Sequence, residues 1–83
     1  MSYIYQTAGV AEKTKNDLRF KNFVDKSIRR HLNGDYGDTC VNDTELNKQN
    51  PLDSMSTYIY DSDCKIWVKQ EQDIIIVLFP SEY

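Results

Sequence analysis

The stretch RRHLNGDYGDTCVND, from Arg29 to Asp43, gathers the side chains best suited to chemistry. It holds the single histidine, His31, one of the two cysteines, Cys40, and the carboxylates Asp35, Asp38 and Asp43. The spacing H-x3-D-x2-D-x-C from His31 to Cys40 offers an imidazole nitrogen, two carboxylates and a thiolate. That mixed set suits tetrahedral zinc better than calcium or magnesium, which take oxygen ligands. Gly34 and Gly37 would let the backbone wrap tightly around a small ion. Cys64 or Asp43 could replace one of the aspartates. With the ligands inside one short stretch, the expected site is closed and structural: Zn2+ held by His31, Asp35, Asp38 and Cys40. The same residues also make an ordinary helix end. A helix dipole favours histidine in the last turn, glycine and aspartate form turns, Asp38 could bond His31 or cap the next helix, and cysteine packs as a small apolar residue.

Nucleophilic catalysis finds little support. No second histidine stands ready as a general base, and no glycine-rich loop follows a strand to cradle phosphate. Glu71, Asp73 and Glu82 have no visible partner and read as solvated strand ends. The expectation is a protein that is not an enzyme.

The elements that must position these residues are legible in outline. Tyr3 to Tyr5 reads as a short strand, and Thr7 as the cap of a short helix reaching about Thr14. In NDLRFKNFVDKSIRRHLNG, Phe20, Phe23, Val24, Ser27, Ile28 and His31 recur at three and four residues and share one helix face. Asn16 or Asp17 would cap that helix, and Gly34 would end it in a left-handed C-cap. VNDTELNKQNP reads as a second, shorter helix with an Asn42–Glu45 capping box and Pro51 as its stop. The period then changes. MSTYIYD and KIWVKQE alternate, DSDC and Gln72–Asp73 supply turns, and IIIVLF is apolar on both faces, as a well-buried strand should be. The expectation is one domain over residues 1–83 of α+β class, with N-terminal helices packed on one face of a three- to four-stranded antiparallel sheet.

Composition narrows the function classes. Apolar residues at 40% and charged residues at 28% of an 83-residue chain point to a globular domain with one modest core. No apolar run reaches membrane-spanning length, and the first residues lack the basic head and apolar stretch of a secretory signal. A cytoplasmic protein is therefore expected, with cysteines as thiols or metal ligands rather than a disulfide. The net charge of −3 and pI of about 4.9 argue against nucleic acid as the main partner and favour a basic protein surface. Against this, Lys15, Arg19, Lys26 and Arg30, with Arg29 beside them, form a basic stripe that could touch phosphates or simply face solvent. Tyr3 with Tyr5, and Tyr58 with Tyr60, alternate onto strand faces, either as interface residues or as packing against a helix. Trp67 sits between Lys65 and Lys69 on its face and reads as core or as a cover over the sheet edge.

Several of these segments together carry a resemblance. RHLNGDYGDTCVNDTELN, STYIYDSDCKIWV and the terminal IIIVLFPSEY resemble a family of small proteins carried by plasmids, phages and prophages. Its pattern runs roughly H-x-x-G-D-W-G-D, then an aspartate and an asparagine on a helix, then S-A-Y, I-W-I-I-T-E and T-I-L-F-P-E-E-Y. The matching residues are His31, Gly34, Asp35, Tyr36 in place of tryptophan, Gly37, Asp38, Asp43, Asn47, Ser56, Tyr58, Ile66, Trp67, Leu78, Phe79, Pro80, Glu82 and Tyr83. The T-E-x-D-R-S segment is absent, KQEQDI standing there instead, so nothing that segment does carries over. A methyltransferase role is excluded because 83 residues with no glycine-rich turn after a strand cannot build the cofactor-binding sheet. The chain is similar to small type II-A anti-CRISPR proteins of streptococcal phages, which inhibit Cas9. The resemblance implies a phage- or prophage-encoded binder of Cas9 that acts in the host bacterial cytoplasm, blocks target DNA loading or cleavage, and performs no catalysis. The other reading is a mobile-element accessory protein that contacts nucleic acid through the basic stripe.

Overall fold

The structure, a computed structural model, describes residues 3–83. Strand β1 (Tyr3–Gln6) leads into helices α1 (Ala8–Asn16), α2 (Leu18–Leu32) and α3 (Val41–Gln49). Strands β2 (Asp53–Asp61), β3 (Cys64–Glu71) and β4 (Ile74–Leu78) follow, and a single 3-10 turn (Pro80–Glu82) closes the chain. The sheet order is β1-β4-β3-β2. The class is α+β, with the helices N-terminal to the meander. β2, β3 and β4 pair antiparallel, whereas β1 runs parallel to β4, because α1, α2 and α3 intervene before the chain returns to the sheet.

Helix α2 is the element the core is built on. Phe20, Val24, Ser27, Ile28 and His31 are its buried residues, spaced at three and four as an inward stripe requires. Asp17 caps it, its carboxylate accepting from the Phe20 amide at 3.2 Å. Against this stripe lie the inner-face residues Tyr58 of β2, Ile66 and Val68 of β3, and Ile75 and Val77 of β4, with Val10 from α1 completing the cluster. Cross-strand register puts Tyr58 opposite Ile66, and Val68 opposite both Ser56 and Val77.

Two caps differ from expectation. Helix α3 begins at Val41 with Cys40 at its N-cap, and that cap makes no side-chain hydrogen bond, so Asn42 lies inside the helix and the Asn42–Glu45 box does not form. Thr7 does occupy the N-cap of α1, but its hydroxyl donates to Glu82 Oε1 at 2.6 Å instead of capping the helix.

The tyrosine pairs separate. Tyr58 is 1% exposed and belongs to the core, and Tyr60 packs on Phe20 and Phe23, at ring separations of 5.2 and 5.1 Å. Tyr3 and Tyr5 are exposed. β4 lies inside the sheet, between β1 and β3, yet Ile74 is 40% exposed. Its inner face meets the helices, and among the described residues no helix covers its outer face.

Candidate functional site

The end of α2 brings His31 under the sheet and leaves its sequence neighbours outside. His31 is 3% exposed, and its ring lies edge-on to Tyr36 at 5.6 Å. Three nearly buried polar side chains surround it: Ser54, Ser56 and Gln70. Gln70 Nε2 donates to the Gln72 carbonyl at 2.9 Å, which turns Oε1 toward the histidine. His31 Nε2 then donates to Gln70 Oε1 at 3.0 Å, with Ser54 Oγ at 3.2 Å as a second acceptor. The Ser54 hydroxyl itself donates to the Pro51 carbonyl at 2.7 Å. Nδ1 is left to accept from the Ser56 hydroxyl. The ring is thus neutral and satisfied at both nitrogens. Burial pushes its pKa below 6.5, opposed in part by the bond to Gln70.

The four expected metal ligands are not brought together. Asp35 is exposed and forms a two-point contact with Arg30, whose Nε and Nη2 donate at 2.7 and 3.2 Å. It also accepts from the Gly37 amide at 3.1 Å. Arg30 and the Gly37 amide both hold the Asp35 carboxyl below the usual carboxylate range, Arg30 having the larger effect. Asp38 is exposed and ties its backbone amide to the Thr57 carbonyl at 2.7 Å, while Cys40 is exposed at the start of α3. Asp43 is in the first turn of α3. Cys64 begins β3 opposite Asp61 and lines a shallow hollow with Phe79, at the other end of β3 from Gln70 and so away from His31. Among the described residues, no group of three or more His, Cys, Asp and Glu is placed to hold a metal ion. In this arrangement both ring nitrogens of His31 are engaged by Ser56, Gln70 and Ser54, and the Asp35 carboxylate by Arg30.

Two of the segments that carry the resemblance have structural work in this fold. In the G-D-Y-G-D loop, Tyr36 is buried beside His31, and Asp35 fastens Arg30. Gly37 has φ +63° and approaches β2 so closely that a Cβ there would lie 2.2 Å from the Thr57 carbonyl oxygen. In the F-P-x-E-Y ending, Glu82 reaches the start of α1, accepting from Thr7 Oγ1 and from the Gly9 amide at 3.0 Å. The Glu82 carboxyl sits below its ordinary range, chiefly through the Thr7 bond.

A different surface carries groups that the fold does not use. The outer face of the sheet presents Tyr3, Tyr5, Ile74 and Ile76 toward one edge, Trp67 and Lys69 in the middle, and Met55 and Thr57 toward the other. Tyr83 leans edge-on against Trp67 at 5.6 Å and stays 72% exposed. Helix α3 stands beside this face and leaves an open groove of about 390 Å³ lined by Asp43, Leu46, Met55, Thr57, Trp67 and Lys69. Asp53 and Glu71 pair across β2 and β3 at the groove's end, and Lys69 Nζ donates to Glu71 at 2.5 Å. Half-exposed aromatic and apolar groups with carboxylates at one end can bind a partner by apolar contact, with a basic patch meeting that end. The signal for this face was in the sequence: IIIVLF is apolar at alternate positions that no helix was available to cover.

The basic stripe is altered by folding. Arg30 is turned back onto Asp35 and lies 4.9 Å from the Tyr58 ring centre, and Lys15 belongs to α1. Arg19, Lys26 and Arg29 remain on the outward side of α2, and among the described residues none of the three forms an ion pair. Comparisons of this chain with protein-family models, curated proteins and solved structures give no match.

Proposed function

We propose that the chain is a non-catalytic binding protein that docks the outer face of its sheet on a basic protein surface, and that this partner is Cas9. The observation that carries the reading is the uncovered face itself, with Trp67, Tyr83, Met55 and Ile76 flanked by Asp43, Asp53 and Glu71. Support for Cas9 in particular comes from the anti-CRISPR resemblance and from the net charge of −3. Cas9 holds its guide and target in positively charged channels, which an acidic rim complements. Occupying such a channel would block DNA loading or cleavage without any chemistry by the inhibitor.

The deciding experiment titrates the protein into guide-loaded streptococcal Cas9 during target cleavage, with a pull-down alongside. Inhibition near equal stoichiometry is expected. Trp67→Ala and the pair Asp53→Lys, Glu71→Lys should each weaken it by at least about tenfold, as loss of a central contact does. No complex at micromolar protein would sink the proposal.

Arg19, Lys26 and Arg29 support a second reading, in which the outward side of α2 binds nucleic acid backbone. It predicts salt-dependent binding, lost on reversing Arg19 and Lys26 to glutamate. The same two reversals should leave Cas9 inhibition unchanged under the first reading.

A further inference from the structure

The two edges of the sheet are treated differently. The β2 edge is covered at Met55 and Thr57. Asn47, buried on α3, donates its Nδ2 to the Met55 carbonyl at 2.8 Å and accepts from the Met55 amide at 3.1 Å, so its side chain takes the place of a neighbouring strand. Two residues on, the loop after α2 does the same for Thr57, whose amide donates to the Tyr36 carbonyl and whose carbonyl accepts from Asp38.

Among the described residues, nothing covers the β1 edge in that way. The Tyr3 and Thr7 amides donate inward, to the Asp73 and Val77 carbonyls at 2.8 and 3.0 Å. Strand alternation therefore turns the N–H and C=O groups of Ile4 and Gln6 outward, beyond the last strand of the sheet. All four residues of β1 are exposed. The strand YIYQ has no charge, no proline and no bulge, the devices that normally blunt an open edge.

We propose that β1 pairs with β1 of a second copy of this chain, antiparallel about a two-fold axis at Tyr5, to give a continuous eight-stranded sheet. In that register Ile4 faces Gln6 of the other copy, and each such pair exchanges both of its backbone hydrogen bonds, so all the outward groups are used. Tyr5 faces its own counterpart across the axis on the outer face, where the side chains of a non-hydrogen-bonded pair approach closely. A second copy is favoured over a foreign strand by the strand's own chemistry. With no charged residue between Tyr3 and Gln6, self-pairing sets no like charges opposite each other, and nothing on the strand steers an oppositely charged partner to it. A two-fold contact needs one self-complementary patch, which this strand supplies.

The test is sedimentation of the untagged chain between about 10 µM and about 1 mM, a range that captures a weak association. The expected mass rises toward twice the 9.7 kDa of the single chain. Tyr5→Lys should return it to a monomer, by placing like charges across the axis. Tyr5→Glu should do the same. Mixing the two variants should restore the dimer in one-to-one ratio, a result that simple unfolding of either variant could not give. Wild-type protein that stays monomeric throughout overturns the proposal, as does a dimer that both Tyr5 variants leave intact. A monomer whose β1 amides become protected only on adding Cas9 would assign this edge to that partner and overturn the proposal as well.

Discussion

The Tyr58 hydroxyl donates to the Asp35 carbonyl at 2.6 Å, joining the buried face of β2 to the loop that ends α2. Arg30 lies over the same ring while gripping the Asp35 carboxylate, so one aromatic residue anchors both halves of the turn. Tyr58→Phe keeps the packing and removes the donor, and should cost about 1 kcal/mol, the net value of a typical hydrogen bond. Burial pushes the phenol from 10.0 up to about 12. The neutral form is therefore favoured by folding. Its contribution is complete below pH 10 and is lost as pH rises through about 12, since the unfolded chain releases the proton first. Denaturant titration from pH 9 to 12 should show a fall for the wild type that is smaller for Tyr58→Phe.

Two glycines in the same loop should respond differently to alanine. Gly34 has φ +82° with open space around its Cβ position, so Gly34→Ala meets only the backbone penalty of about 1–2 kcal/mol. Gly37→Ala adds a collision with β2, at 2.2 Å from the Thr57 oxygen and 2.7 Å from the Tyr58 ring. Its loss should exceed that of Gly34→Ala by at least about 1 kcal/mol, because backbone must shift. Equal thermal shifts for the two variants would show that the loop re-forms away from β2.

His31 makes the fold acid-sensitive in a definite window. Its folded pKa is depressed below 6.5 by burial, so the unfolded chain binds a proton first as pH falls. Stability from this residue is complete above pH 6.5 and declines as pH drops toward the folded value. Chemical denaturation at pH 7.5 and 5 should show that decline in the wild type and a smaller one in His31→Gln. A wild type equally stable at both would contradict a buried neutral ring.

The inward stripe of α2 was legible because three- and four-residue spacing survives without knowledge of partners. The environment of His31 was not. Its partners Ser54, Ser56 and Gln70 lie 23, 25 and 39 positions away, and only sheet register brings them beneath it. Alternation did place Ser54 and Ser56 on the Tyr58 face and Gln70 on the Val68 face, and polar residues at inner positions opposite a lone inward histidine were the available clue. Spacing gave no signal at Asn47, which only the resemblance singled out, since an asparagine within a helix does not announce that it will bond a strand edge. The same holds for Glu82, whose bond to Thr7 spans 75 positions. Local spacing suggested a zinc cluster from His31 to Cys40, whereas folding sends the histidine inward and leaves the carboxylates and thiol on the surface.

Chelation separates those two readings of the loop. With His31 engaged by Ser56 and Gln70, excess chelator should leave the melting temperature unchanged, and elemental assay of tag-free protein should find less than one zinc per chain. His31→Ala should still destabilise, by about 2 kcal/mol or more, because buried hydroxyl and amide groups lose their partner. A stoichiometric zinc whose removal lowers the melting temperature would mean that His31 leaves the core to join Asp35, Asp38 and Cys40.

Glu82 offers a test of how the chain's last residues hold its first helix. One carboxylate accepts from the Thr7 hydroxyl, the Gly9 amide and the Phe79 amide, and so fixes the 3-10 turn over the N-terminus of α1. Negative charge at that helix end is favourable, and the exposed amides of the first turn need an acceptor. The carboxyl's lowered pKa means that its stabilisation is present above 4.5 and is lost as pH falls through the folded value. Glu82→Ala should lower the melting temperature at pH 7, and the gap to the wild type should narrow as the solution is acidified below pH 4.5. Amide exchange at Gly9 should quicken in the variant while exchange at Val24 and Val68 stays slow. Uniformly faster exchange would instead make the ending part of the cooperative core.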